Sequence, residues 1–235
     1  MTSPGLGNIL VTGGASGLGA ATVRAVLQHG GTPLVTDVKP LPADLGQTIA
    51  FVQCDLADTG AVDSAVRELA ERVDGRLHGV FTAAGIDACG KLDDVSVKDW
   101  ERVIHVNLLG TVAVVRSALP YLKATHGRIV TCASTLGIKA VSDATAYCAS
   151  KFGVVGFSRA LAAELAGQVG VTTLIPGGMH TAFFDNRDEQ YKPPPDAKLN
   201  QPENVAETII FALTQPAGCE VRELVVCAST ESSWP

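Results

Sequence analysis

The sequence predicts an α/β protein built on a single doubly wound parallel sheet of about seven strands, with helices on both faces. Three observations predict it. Short apolar runs rich in Val, Ile and Leu alternate with longer amphipathic stretches along the chain, as strand–helix–strand units do. The first run ends in a glycine-rich turn, Gly13-Gly14-Ala15-Ser16-Gly17-Leu18-Gly19, and a helical stretch follows at once. The second run stops on an acidic residue, Asp37.

The 235 residues suit one domain spanning 1–235 with a substantial buried core. A net charge of −6 without any Lys/Arg cluster argues against a nucleic-acid surface or a polybasic membrane patch. The opening residues lack the basic and apolar regions of a signal peptide, and no apolar run reaches the length of a membrane span. Cys54, Cys89, Cys132, Cys148, Cys219 and Cys227 are scattered, with no C-x-x-C and no histidine at metal spacing. A metal site has no support, most of the thiols read as buried, and a reducing cytoplasm is the expected location.

Each element follows from local chemistry. Asn8 to Thr12 is a β run, and Ala20 to His29 is helical until Gly30-Gly31. Thr32 to Thr36 and Ile49 to Gln53 are the next strands, separated by a loop holding Pro40 and Pro42. Asp58 or Thr59 caps a helix to about Val73 whose Val62, Val66, Leu69 and Val73 share one face. Leu77 to Phe81 is a fourth strand, Lys98 to Lys123 a long helix, and Gly127 to Thr131 a fifth strand. Ser142 or Asp143 caps a helix that ends at Gly167, and Val171 to Ile175 is the sixth strand, stopped by Pro176. Phe183 to Gln201 is polar, contains three consecutive prolines, and reads as a mobile substrate loop, expected to act as a lid. Pro202 opens a helix to about Leu213, and Val221 to Cys227 is the last strand.

Two stretches carry chemistry. Tyr147 and Lys151 lie four apart, so a helix projects both from one face. A neighbouring ammonium favours phenolate over phenol and is expected to lower the tyrosine pKa. Ser134, thirteen positions before Tyr147, comes from the end of a separate strand and offers a hydroxyl to the same place. The glycine turn lets backbone approach a pyrophosphate at a helix N-terminus. Asp37, eighteen residues after Gly19, is placed to bind adenosine ribose hydroxyls. The Gly-Lys-Ser/Thr of a P-loop is absent.

Taken in order, these motifs resemble the short-chain dehydrogenase/reductase family, whose fold is of Rossmann type, over nearly the whole chain. Its T-G-x-x-x-G-x-G stands at Thr12 to Gly19, and its acidic residue after the third strand at Asp55. Its helix-embedded asparagine is Asn107, its serine, tyrosine and lysine are Ser134, Tyr147 and Lys151, and its turn is Pro176-Gly177 followed by Thr181. The resemblance implies an oxidoreductase that exchanges a hydride between a nicotinamide and a secondary alcohol or ketone. Tyr147 would be the acid/base, Lys151 would hold the nicotinamide ribose, Ser134 would orient the reacting oxygen, and Asn107 would hold a water linking Lys151 to solvent. The cofactor set would be Gly13, Ser16, Gly17, Leu18, Gly19, Asp37, Asp55, Leu56, Ala84, Gly85, Tyr147, Lys151, Pro176, Gly177 and Thr181. Asp37 favours NAD(H), with Lys39 the one feature opposing it. The family also implies a homo-oligomer, a dimer or tetramer.

The alternatives are an NADP(H)-dependent carbonyl or 3-oxoacyl thioester reductase and a non-catalytic nucleotide sensor or scaffold. The chain departs from the family at Thr82-Ala83, where Asn-Asn is usual; Thr82 is expected to replace part of the first asparagine's hydrogen bonding. Gly153 and Gly156 suggest close approach by another backbone, Asp87, Cys89, Met179 and His180 are candidates to border substrate, and the charges from Asp185 to Glu189 read as a solvated loop.

Overall fold

Seven strands, all parallel, form one sheet in the order β3-β2-β1-β4-β5-β6-β7. The computed structural model describes residues 5–45 and 49–231. The strands are β1 (Asn8–Thr12), β2 (Thr32–Asp37), β3 (Ala50–Gln53), β4 (Gly79–Thr82), β5 (Arg128–Cys132), β6 (Gly170–Pro176) and β7 (Glu223–Val226). The chain builds outward from β1 to β3 and then crosses back to β4, so the strand order reverses between β1 and β4. Ligands of such sheets sit at that reversal, outside the carboxyl ends of the strands.

Alternation along the strands explains the two covered faces. Ile9, Val11, Val35, Phe81 and Leu174 pack against α1 (Gly17–Gln28) and α6 (Pro202–Leu213). Leu10, Leu34, Val80, Ile129 and Val171 point the other way, toward α2 (Thr59–Glu71), α4 (Gly110–Thr125) and α5 (Thr145–Glu164). Asp58 caps α2 by accepting from the backbone N–H of Gly60 and Ala61, each at 3.0 Å.

The expected long helix is α3 (Val97–Ile104) continued into α4 through one π-helical turn, His105–Leu109. Together they run from Val97 to Thr125, long and apolar enough by length and composition to cross a membrane, contrary to the expectation that no apolar run reaches that length. Here Val114, Val115, Ala118 and Leu122 are instead buried in the core beneath the sheet.

Two local expectations are corrected. Neither Ser142 nor Asp143 caps α5: Ala144 stands at the cap position and makes no side-chain cap bond. Asp143 adopts a left-handed backbone, φ 61°, and its carboxylate accepts from the Ser142 hydroxyl at 2.7 Å. The helix ends at Glu164, before Gly167. A Cβ on Gly153 would lie 2.8 Å from the Leu108 side chain, and one on Gly156 would meet nothing within 4 Å. What approaches Gly153 is thus a side chain rather than a backbone.

Candidate active site

The glycine turn is shaped by backbone on backbone. Gly13 has φ 67°, and its N–H donates to Thr36 O at 2.8 Å. A Cβ there would come within 2.8 Å of the Ala84 backbone, so glycine lets the turn lie against the end of β4. At Gly19 a Cβ would sit 2.0 Å from Gly13 O, an overlap that no side-chain movement relieves. Gly17, at φ 51°, opens α1, whose N-terminus receives no side-chain cap from Ser16. Leu18 behind it is buried. The first N–H groups of α1 are therefore available to an anion.

Asp37 reaches back over this turn. Its Oδ2 accepts from Ala15 N and its Oδ1 from Lys39 N, both at 2.9 Å, which leaves each oxygen a further lone pair. Asp55 accepts from Ala57 N at 3.0 Å and pairs with Arg102 at 2.8 Å. The Ala57 bond foremost, and then Arg102, hold its carboxyl below the usual range against the opposing effect of burial. Leu56 packs against Gly110, where a Cβ would approach to 2.8 Å. A dinucleotide fits this surface: a glycine cradle that a Cβ would fill, an uncapped helix start and a carboxylate with spare lone pairs.

The second cluster lies at the ends of β4 and β5 and on α5. Ser134 leaves β5 and accepts from Leu136 N at 3.1 Å, starting the 3-10 turn Thr135–Gly137. A Cβ on Gly137 would lie 2.8 Å from Lys151 O, so this turn rests directly on α5. Lys151 is 3% exposed; its Nζ donates to Cys132 O at 2.8 Å and lies 5.5 Å from the Tyr147 ring centroid. Asn107, in the π-helical turn, grips the chain beyond β4: its Oδ1 accepts from Ile86 N and its Nδ2 donates to Ile86 O, both at 2.8 Å. The same Nδ2 lies 3.1 Å from Ser150 Oγ. A Cβ on Gly85 would lie 3.5 Å from both Asn107 Oδ1 and Lys151 Nζ, so these groups meet around that glycine.

The electrostatics reverse one expectation. Tyr147 as a whole is half-buried, but protein packs densely about its ionising hydroxyl. That burial pushes the phenol pKa well up; charge on Cys132 and on Asp87 adds to the effect, and a hydrogen bond with Ser134 and the Arg187 charge oppose it. Burial also pushes Lys151 down. Desolvation thus sets the direction of both shifts, and the phenol form dominates at neutral pH.

Beyond β6, the Pro176-Gly177-Gly178 turn is tied to the C-terminal stretch, because Gly178 N donates to Glu231 Oε2 at 2.9 Å. A Cβ on Gly17 would lie 3.4 Å from Thr181, which brings this turn to the glycine-rich one. A cavity of about 750 Å³ opens between Met179–Asp185 and Lys192–Leu199, with His180, Thr181 and Phe184 on its walls. The polar segment 183–201 carries two 3-10 turns, Ala182–Phe184 and Glu189–Tyr191. Phe183 packs on Tyr147 with ring centroids 5.7 Å apart. Arg187 is not solvated as its charge cluster suggested: its side chain is 18% exposed and pairs at 2.7 Å with Asp87, which is 6% exposed. Cys89 donates to the same carboxylate at 3.2 Å, and its thiol is pushed up to about 12, by burial first and then by Asp87.

Sequence reasoning missed Arg187, Phe183 and Glu231; only the charge cluster hinted at the first. Thr82 also departs from expectation, since its buried hydroxyl has no hydrogen-bond partner among the described residues. The neighbouring Ala84 N donates instead to Thr12 Oγ1 at 3.2 Å.

The comparisons with known proteins agree with this architecture. The family model described as short chain dehydrogenase matches residues 7–192. The short-chain dehydrogenase/reductase olcF of Penicillium canescens is 34% identical over 226 residues, covering 86% of this chain and 88% of that protein. A 3-oxoacyl-[acyl-carrier-protein] reductase of Bos taurus is 32% identical over 215 residues, covering 88% and 90%. Among solved structures, an alcohol dehydrogenase of Thermococcus sibiricus complexed with 5-hydroxy-NADP superposes with a TM-score of 0.84 at 22% identity, over 95% of this chain and 97% of that one, a likeness of fold. With that sheet, that glycine turn and these relatives, the chain belongs to the short-chain dehydrogenase family of oxidoreductases.

Proposed function

We propose that this oxidoreductase interconverts a secondary alcohol and a ketone using NAD(H). The observation that carries the reading is the convergence of Ser134, Tyr147 and Lys151 at the carboxyl edge of the sheet, beside a glycine cradle overlooked by Asp37. A bound nicotinamide supplies the hydride chemistry. The glycine turn, Asp37, Asp55, Leu56, Ala84 and Gly85 would hold the adenosine side, and Pro176, Gly177 and Thr181 the nicotinamide side.

Tyr147 would handle the proton of the reacting oxygen. It is protonated at neutral pH and so has a proton to give to a ketone oxygen. Ser134, which hydrogen bonds to Tyr147, would direct the same oxygen. Lys151, anchored on Cys132 O, would bind ribose hydroxyls and bias Tyr147 electrostatically. Asn107 would set the position of the Ile86 backbone beside Lys151. The exposed Phe152 on α5 fits the interface of a homo-oligomer, and six free cysteines fit a reducing cytoplasm.

A second reading, NADP(H)-dependent reduction of 3-oxoacyl thioesters, draws on the 32% identity with the acyl-carrier-protein reductase. A panel of secondary alcohols, ketones and oxoacyl thioesters, assayed with both nicotinamides, separates the two. Turnover of alcohols with NAD, reduced about 10²- to 10⁴-fold in Tyr147→Phe, is expected. Native-like turnover in that variant would assign the proton to another group.

A further inference from the structure

We propose that Arg187 is a positioning residue of the substrate pocket: paired with Asp87, it holds the segment 182–191 so that the Phe183 ring rests on Tyr147. The proposal builds on the reading of Tyr147 as the reacting acid. Asp87 and Arg187 lie 100 positions apart, one on the loop after β4 and the other on the polar segment after β6. Their contact therefore ties the loop after β4 to the segment after β6 beside Tyr147.

The arginine is held on several sides. Its Nη2 donates to Asp87 Oδ2 at 2.7 Å, and its Nη1 to Tyr191 O at 3.3 Å. The guanidinium carbon lies 5.0 Å from the Phe183 ring centroid and 4.7 Å from that of Phe184, within cation–π range of both. Phe183 and Phe184 meet edge to face, and Phe183 touches Tyr147. One charged plane thus orders two aromatic rings, and one of those rings forms a wall over the phenol. Asp87 is itself fixed, accepting from Ala88 N at 2.7 Å as well as from Cys89. Arg187 Nε is buried without a partner among the described residues, so the fork is placed by the two rings and by Asp87 rather than by saturation of its donors.

The pair also bears on Tyr147 electrostatically. Beside the larger effect of burial, Asp87 pushes the phenol pKa up and Arg187 pushes it down, as Cys132 and Ser134 also do in turn, while the Lys151 ammonium lies 5.5 Å from the ring centroid. Removing one partner should shift the reaction's pH profile, and the two deletions should shift it in opposite directions.

The test compares the native protein with Asp87→Asn, Arg187→Ala, Arg187→Lys and the double variant Asp87→Asn/Arg187→Ala. Hydrogen exchange of the free protein reads the amides of Asp185, Arg187, Tyr191 and Lys192, whose N–H groups close the two 3-10 turns. Each single deletion should speed their exchange about tenfold or more, with the double variant no faster than the quicker single one. Unchanged exchange in both singles would overturn the proposal, as would effects that simply add. Arg187→Lys retains charge but lacks the planar fork, so it should keep the native pH profile with only partial protection. It also stands in if Arg187→Ala does not fold, and full native protection in it would count against the arginine-specific role.

Turnover of the fastest alcohol in the panel, followed against pH, supplies the second readout. Its acid limb should move down in Asp87→Asn and up in Arg187→Ala; unmoved limbs beside faster exchange would reduce the pair to a structural tie and reject the positioning role. Native-like turnover in Tyr147→Phe would defeat the reading of the site, while the exchange data would still decide whether the pair holds the segment.

Discussion

The two sides of this site are held in place by different physics. On the side of β1 and β2, position is set by what cannot fit: a Cβ at Gly19 would stand 2.0 Å from a carbonyl oxygen, and one at Gly13 2.8 Å from the Ala84 backbone. On the side of segment 182–191, position is set by what attracts: one ion pair, two cation–π contacts and a ring-on-ring contact. Steric exclusion is short-ranged, insensitive to salt and confined to neighbouring backbone. Charge and ring contacts act between distant parts of the chain and tolerate rearrangement. A surface that receives an unchanging cofactor suits the first, and a pocket that discriminates among substrates suits the second.

The comparison breaks most visibly at Gly19. Gly19→Ala should cost on the order of 3 kcal/mol, near the upper end for overpacking, and lower NADH affinity about 100-fold. Native Tm together with native NADH titration would show that the turn yields after all. Asp37→Ala comes next. It removes a carboxylate bonded to Ala15 N and Lys39 N, and should weaken NADH about ten- to a hundredfold while NADPH gains from the lost repulsion. Equal losses for both cofactors in competing titrations would remove Asp37 as the discriminating group.

A smaller effect is expected at Thr82, whose buried hydroxyl lacks a partner among the described residues. Thr82→Val keeps the shape, and Tm should rise by about 2–4 °C, the equivalent of about 1 kcal/mol. A fall in Tm would mean that the hydroxyl has a role in the sheet. The smallest concerns His78, another side chain that secures the half built mainly by backbone. Its Nδ1 accepts from Asn8 N at 3.0 Å, which requires the neutral ring. Burial, and then Arg76, lower its pKa in the fold. The unfolded chain therefore binds more protons once pH falls below about 6.5, so this contribution is full above that value and is lost beneath it. Thermal melts between pH 7.5 and pH 5, in roughly half-unit steps, should show that decline in the native protein and less of it in His78→Gln.

The same contrast explains what the sequence disclosed. Glycine spacing and a strand ending in Asp37 are local constraints, so the cradle could be read from a few adjacent residues. All seven strands were foreseeable from periodicity, with ends shifted by one or two residues. The Arg187–Asp87 pair spans 100 positions, and nothing in either neighbourhood announces the other. Nor does the order Tyr147-x-x-x-Lys151 reveal that desolvation sets the direction of both pKa shifts, because burial is a property of the assembled layers. The cap of α5 was misread for a related reason: Asp143 has a suitable side chain but adopts a left-handed backbone and supplies its carbonyl to Gly90 N.

The π-helical turn at His105–Leu109 has a consequence for phase. Such a turn amounts to one residue inserted into an α-helix, and each residue rotates the helix by about 100°. The helices on either side are therefore out of step, which lets one continuous rod serve two neighbours. The leading part engages α5, with Trp100 Nε1 donating to Thr145 Oγ1 at 3.1 Å. The trailing part buries Val114, Ala118 and Leu122 in the core beside α2. Asn107 stands at the phase slip, and its carbonyl accepts from the Thr111 hydroxyl at 2.8 Å. Loss of a single residue between 105 and 109 would restore regular winding yet swing everything before it by that angle. This helix should tolerate many substitutions on its outer face and no change in its count.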